Sequence, residues 1–158
     1  MAQLRQVELS ALLELRERVL TPGHPNRPVL WPYDNELALH YGLFVDEALT
    51  GCVSITPQDM PGRSASSPFH LHSMAVEPMS QGQGLGRCML HGILSEVRDR
   101  GGDLVWATAR HASVGFYLRC GFEAGDEMRV SPTNVSMRYV RLLVSPSSRE
   151  ATGRQPLR

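Results

Sequence analysis

Lysine is absent. All 16 basic side chains are arginine, and 16 Asp and Glu bring the formal net charge to zero. With no surplus positive charge to displace counterions from a polyanion, a strongly cationic nucleic-acid binder is disfavoured, and no nucleic-acid partner is expected. Long apolar runs are missing too, the longest being a few residues, so no membrane partner is expected. The opening MAQLRQVELS lacks the apolar stretch of a secretory signal. Cysteine is sparse. Cys52, Cys88 and Cys120 are odd in number and far apart, with no CxxC pair, which argues against a disulfide framework and a thiolate zinc site. The expectation is buried free thiols in a reducing cytoplasm, and no metal.

What is present reads as globular: 42% hydrophobic and 20% charged residues. A chain of 158 residues suits one domain, expected over residues 1–144. Such a domain buries roughly 68–70% of its unfolded surface. The polar stretch 145–158 is expected to be a disordered tail.

The pattern along the chain alternates between strand and helix. Residues 2–8 suit a short strand. Leu9, Leu12, Leu13, Val19 and Leu20 recur at helical spacing over about 10–20, with Ser10 as a candidate N-cap. Four prolines with Trp31 and Tyr33 mark 21–37 as an ordered loop. His40–Val45 and Thr50–Ile55 form a candidate hairpin turning near Asp46-Glu47. Residues 57–68 are rich in Pro and Ser and read as a mobile surface loop. FHLHSMAV (69–76) is strand-like and stops at Glu77-Pro78. After QGQGLG (81–86), Leu85, Met89, Leu90, Ile93, Leu94 and Val97 form one helical stripe that ends at Gly101-Gly102. A buried strand (103–109), a short helix (111–119) and strands near 122–128 and 135–144 complete the chain. The fold class is mixed α/β (α+β), with helices crossing between neighbouring parallel strands.

A strand, a Gly-rich turn and a helix in succession make a site for a phosphate, because the free amides of the turn and the helix N-terminus face the same anion. Gly82, Gly84 and Gly86 allow close approach and unusual φ. Neither familiar phosphate loop fits. A P-loop needs a lysine, and a dinucleotide fingerprint needs GxGxxG, where Arg87 here replaces the third Gly. The alternative is a tight turn with no ligand.

Gln81-Gly82-Gln83-Gly84-Leu85-Gly86 matches the Q/R-x-x-G-x-G/A pattern of the GNAT N-acetyltransferase superfamily, and Phe116-Tyr117-Leu118-Arg119-Cys120-Gly121-Phe122 resembles that family's FYxxxGF element. The resemblance spans roughly residues 40–142. It implies a GNAT-like acyl-CoA N-acyltransferase fold, a single layer of about six to seven strands flanked by helices. It also implies acetyl-CoA as cosubstrate. The pyrophosphate would be held by Gly82, Gln83, Gly84, Leu85, Gly86 and Arg87, with Gln81 shaping the turn. The pantetheine arm would lie along the backbone of Met74, Ala75 and Val76, the Met74 N–H serving the developing oxyanion.

His70 and His72, two apart on a strand, share one face about 7 Å apart. Their His-Leu-His-x-x-Ala-Val pattern resembles the corresponding strand of the serotonin (arylalkylamine) N-acetyltransferases, which implies a proton relay. The chemistry explains the need. An alkylamine with a pKa near 10 is about one part in a thousand neutral at pH 7, roughly 4 kcal/mol against the nucleophile, and an imidazole is placed to take its proton. Tyr117 falls at the family's position for the acid that protonates the departing thiolate.

Each residue also has a plainer reading. The histidines could be core-edge residues or a zinc pair, though no third ligand has an obvious spacing. Tyr117 could be structural. Phe116, Phe122 and Trp106 read as packing, and His111 as a cap or surface residue. Trp31 and Tyr33 read as packing or as the wall of an apolar amine site. The chain departs from the family at Arg110, where an Asn commonly contacts the cofactor. The leading expectation is direct acetyl transfer to a small-molecule primary amine in a ternary complex. The alternatives are an aminoglycoside or protein acceptor, and a non-catalytic acetyl-CoA sensor. By analogy with the family, residues 135–144 are a candidate homodimer contact.

Overall fold

The computed structural model describes residues 1–22, 29–131 and 134–146. Parts of the proline-rich loop and most of the expected tail therefore lie outside the described residues. Seven strands form a mixed sheet in the order β1-β2-β3-β4-β5-β7-β6, accompanied by three α-helices. The strands are β1 (Ala2–Gln6), β2 (Leu39–Val45), β3 (Ala48–Pro57), β4 (Pro68–Val76), β5 (Leu104–Arg110), β6 (Glu123–Val130) and β7 (Val135–Leu143). The helices are α1 (Leu13–Leu20), α2 (Leu85–Asp99) and α3 (His111–Arg119). Ser10 sits inside a short 3-10 turn, Leu9–Leu12, and does not cap a helix. The chain packs as two compact units, Met1–Pro57 with Leu71–Ile93, and Gln58–His70 with Leu94–Arg158.

In the first unit β1, β2 and β3 pair antiparallel. The hairpin turns on Asp46 and Glu47, at φ 48° and 67°, the left-handed pair that a two-residue turn needs to match strand twist. β3 is buried from Thr50 to Thr56 without alternation, as befits an interior strand covered on both faces. Leu12 and Leu15 pack with Cys52 and Ala75. Burial pushes the Cys52 thiol up to about 11, so it stays an inert thiol. Cys88, by contrast, is exposed, and all three cysteines are free.

In the second unit β4 and β5 pair parallel over Pro68, Phe69 and His70. β7 pairs antiparallel with both β5 and β6, so β6 holds the edge of the sheet. The β4–β5 ladder is parallel, whereas β1–β2, β2–β3, β5–β7 and β6–β7 are antiparallel. The FYxxxGF element is a helix stop. Gly121, at φ 91°, lets the Phe122 N–H reach the Tyr117 carbonyl at 3.0 Å, and the Phe122 ring meets Tyr117 at 5.2 Å. Residues 58–67 form a loop, but an anchored one. The Asp103 carboxylate accepts from the Ser66 and Ser67 amides, each at 2.9 Å, and Met60 is buried against Leu104 and Trp106.

Candidate active site

The Gly-rich turn leaves β4 through Pro78–Ser80 and enters α2 at Leu85. Gly82 and Gly84 stand at φ 80° and 79°, and a Cβ added to either would meet open space. Backbone conformation, not crowding, therefore selects glycine here. The helical ladder starts with the Cys88 N–H on Gly84 O at 3.0 Å. Before it, no backbone carbonyl among the described residues accepts from the amides of Gly82, Gln83, Gly84, Leu85, Gly86 or Arg87. These donors lie at an exposed to half-exposed helix start. That is what a phosphate requires: unpaired N–H groups and the positive end of a helix. The turn fits the pyrophosphate of an acyl-CoA. Gln81 ties it to the end of β4, its Nε2 donating to Val76 O at 3.0 Å.

Just upstream, β4 is irregular. Ser73 has φ 54°, and its carbonyl accepts from Cys52 Sγ at 3.4 Å. This kink separates His72 from Met74, Ala75 and Val76. A non-glycine residue held left-handed inside a strand costs roughly 1–3 kcal/mol, and such strain tends to gather at functional sites.

His72 is buried in a polar network that the sequence did not disclose. The Arg16 guanidinium, fully buried, grips the Asp34 carboxylate through two bonds of 2.8 and 2.9 Å and also donates to Val29 O and Ser54 Oγ. Its Nε has no partner among the described residues. Asp34 accepts a further bond from the Trp31 amide at 2.9 Å. Burial pushes this carboxyl up, but the Arg16 hydrogen bonds, the Trp31 N–H and the Arg16 and His72 charges outweigh it and hold the carboxyl below its usual range. Ser54, accepting from Arg16, also hydrogen-bonds His40 Nδ1 at 2.6 Å. Burial and the Arg16 charge lower the His40 pKa, which keeps that ring neutral.

Proton counting at Thr56 fixes the His72 tautomer. Thr56 Oγ1 donates to Tyr33 O at 2.7 Å, so its contact with His72 Nε2 at 2.8 Å is an N–H donated by the ring. Neutral His72 therefore carries its hydrogen on Nε2, and Nδ1 is its acceptor nitrogen. Asp34 Oδ1 lies 3.8 Å from Nδ1, and Ser73 Oγ 3.4 Å. The Tyr33 ring stands edge-on to His72 at 4.5 Å, and the part-exposed Trp31 stacks on Tyr33 at 5.9 Å. Burial and the neighbouring Asp34 raise the Tyr33 phenol to about 12, with Arg16 opposing.

His70 belongs to the second unit and has the opposite tautomer. Its Nδ1 donates to Gln58 Oε1 at 3.0 Å, so Nε2 is the nitrogen without a hydrogen in the neutral ring. The ring stacks on Trp106 at 4.1 Å, and the Trp106 indole N–H bonds to Gln58 O at 2.9 Å. Trp106 is thus more than packing, since it and Gln58 fix the His70 ring. Tyr117 is buried against Phe116 and Phe122. Its hydroxyl has no hydrogen-bond partner among the described residues, and burial, reinforced by Cys120, pushes the phenol well above its usual value. Arg110 ends β5 and precedes α3 with its side chain exposed, and His111 is exposed at the α3 start. Among the described residues no group of three His, Cys, Asp or Glu is placed to hold a metal.

One sequence signal could have found Arg16. It falls four residues after Leu12 and three before Val19, on the buried stripe of the first helix. A charge on that stripe demands a buried partner.

Residues 8–122 match the model of the Acetyltransferase (GNAT) family, and the chain belongs to it. The protein is a GNAT N-acetyltransferase, of a family that uses acetyl-CoA. Among similar proteins, the uncharacterized N-acetyltransferase YitI of Bacillus subtilis (strain 168) is 26% identical over 124 residues, 78% of this chain and 83% of its own. The fold resembles that of the ribosomal-protein-S18-alanine N-acetyltransferase of Escherichia coli, with TM-score 0.68 and 20% identity, over 94% of this chain and 97% of that one. It also resembles an aminoglycoside 6'-N-acetyltransferase complexed with coenzyme A, with TM-score 0.71 and 13% identity, over 92% and 98% of the two chains. No helix among the described residues is long and apolar enough to cross a membrane.

Proposed function

We propose that the protein transfers the acetyl group of acetyl-CoA directly to the primary amine of a small molecule. The observation that carries this reading is the exposed run of unpaired amides from Gly82 to Arg87 directly after the histidine-bearing strand. Acetyl-CoA, when bound, supplies the acetyl group as a thioester. The turn amides take the pyrophosphate, and the backbone of Met74, Ala75 and Val76 takes the pantetheine arm. The Met74 N–H donates to the acetyl carbonyl oxygen. His70 and His72 relay the proton from the acceptor ammonium, freeing the nitrogen lone pair, and each neutral ring has one nitrogen that carries no hydrogen. Tyr117 gives its phenolic proton to the departing sulfur as the N–C bond forms and the C–S bond breaks, and the second proton shed by the nitrogen restores the phenol. Burial keeps the phenol protonated before the reaction begins.

The aromatic row Trp31–Tyr33–His72 runs from a part-exposed indole to a candidate base, which favours an apolar or aryl-bearing amine. This agrees with the likeness of the histidine strand to the arylalkylamine enzymes. Replacing both histidines with Gln tests the relay. Acetyl-CoA binding should persist, while the rise of kcat/KM with pH through the range where imidazoles titrate should vanish. An unchanged pH–rate profile removes the histidines from the mechanism.

A further inference from the structure

We infer that Asp34 is the counter-ion of His72, a positioning residue that stabilises the protonated ring at Nδ1. The inference rests on the reading of His72 as a base and adds a residue to it.

The geometry builds this in three steps. Thr56 takes the Nε2 hydrogen, so an incoming proton can only go to Nδ1. The carboxylate oxygen nearest that nitrogen is Asp34 Oδ1 at 3.8 Å, ion-pair distance once the ring is charged. Arg16 holds Asp34 in place and ionised through two charge-assisted bonds, with the carboxylate 2% exposed. A proton arriving from the acceptor therefore meets a fixed negative charge in a water-poor setting, where opposite charges couple strongly. The titratable and charged groups around this site are Asp34 and Tyr33 from the loop before β2, Arg16 from α1 and His40 from β2. Tyr33 stays neutral below pH 10, His40 is kept neutral, and Arg16 is committed to Asp34. Asp34 supplies the negative charge of this set to the ring.

Histidine titration by NMR in the full chain reads this without relying on turnover. His72 is assigned by loss of its signal in His72→Gln. In Asp34→Asn the proton affinity of His72 should fall about tenfold or more. The acid limb of kcat/KM should move to lower pH by the same factor, and Asp34→Glu should restore most of both. A role confined to stability predicts a lower melting temperature with an unmoved His72 titration, and that result overturns the proposal. A shifted titration with an unmoved rate limb overturns the base assignment for His72, and with it the role of Asp34. Should Asp34→Asn fail to fold, nitrogen-15 shifts of the wild-type ring decide. A neutral His72 bearing its hydrogen on Nδ1 refutes the counter-ion geometry, and one bearing it on Nε2 supports it.

Discussion

Replacing Arg16 with Met keeps much of the side-chain volume and removes the charge. Four hydrogen bonds go with it: two to Asp34, one to Val29 O and one to Ser54 Oγ. Asp34 is left 2% exposed, with the Trp31 amide still donating to it at 2.9 Å. Breaking a buried pair from one side costs about 3–5 kcal/mol, because an uncompensated charge stays behind. For a domain of this size that is about 6–20 °C in melting temperature. The double variant Arg16→Met/Asp34→Asn removes both charges and should lose clearly less than the sum of the two single losses, with a coupling of about 1–3 kcal/mol. The sign with pH follows from Asp34. Its folded pKa lies below the unfolded value of about 3.9, so the stabilisation is complete above that value and is lost as pH falls through the folded pKa. The gap between wild type and Asp34→Asn should therefore be widest near neutrality and close in acid. Urea unfolding monitored by circular dichroism at several pH values measures all of this. Arg16→Met melting within about 2 °C of wild type, or strictly additive losses, would refute the reasoning.

Other outcomes follow from the turn and the phenol. Gly84→Ala forces an L-residue into the left-handed region at about 1–2 kcal/mol, so calorimetry should show acetyl-CoA binding weakened about 5–30-fold, and equal affinity contradicts the role given to the turn. Tyr117→Phe should lower turnover roughly 10–1000-fold at pH 7 with little change in melting temperature, because no hydrogen bond is lost among the described residues. Steady-state rates beside a thermal melt separate that from a structural role. Gly102→Ala drives a Cβ against Val97 and Phe69 and should destabilise by about 1–3 kcal/mol, read by the same melts.

Local chemistry made much of this fold legible in the sequence. The Asp46-Glu47 turn, the stripe from Met89 to Val97 and the glycine at 121 each act within a few residues, and each stands where the pattern places it. The order of the last strands was not legible. β7 folds back on β6 as a local hairpin, but its other edge pairs with β5, from Arg110↔Met137 to Leu104↔Leu143, a separation that no short window of sequence contains. The site divides the same way. The motif around residues 81–87 and the two histidines stand out by spacing. Asp34 reads as one scattered acid until Arg16 is seen to grip it across 18 residues. Thr56 and Gln58, which set the two tautomers, look like ordinary strand-end residues because a through-space bond leaves no periodic trace. The loop over 57–68 reads as loose from its Pro and Ser content, yet Asp103, Gln58 and Met60 pin it from outside any local pattern.

The central claim is acetyl transfer to a small-molecule amine, and release of CoA thiol from acetyl-CoA across an amine panel tests it most directly. The panel should hold arylalkylamines, polyamines, aminoglycosides and peptides with N-terminal alanine. Thiol release that depends on an apolar or aryl-bearing amine, and that collapses in Tyr117→Phe, is the predicted result. Acetyl-CoA binding with no thiol release for any small amine, or release with the peptides alone, would contradict it.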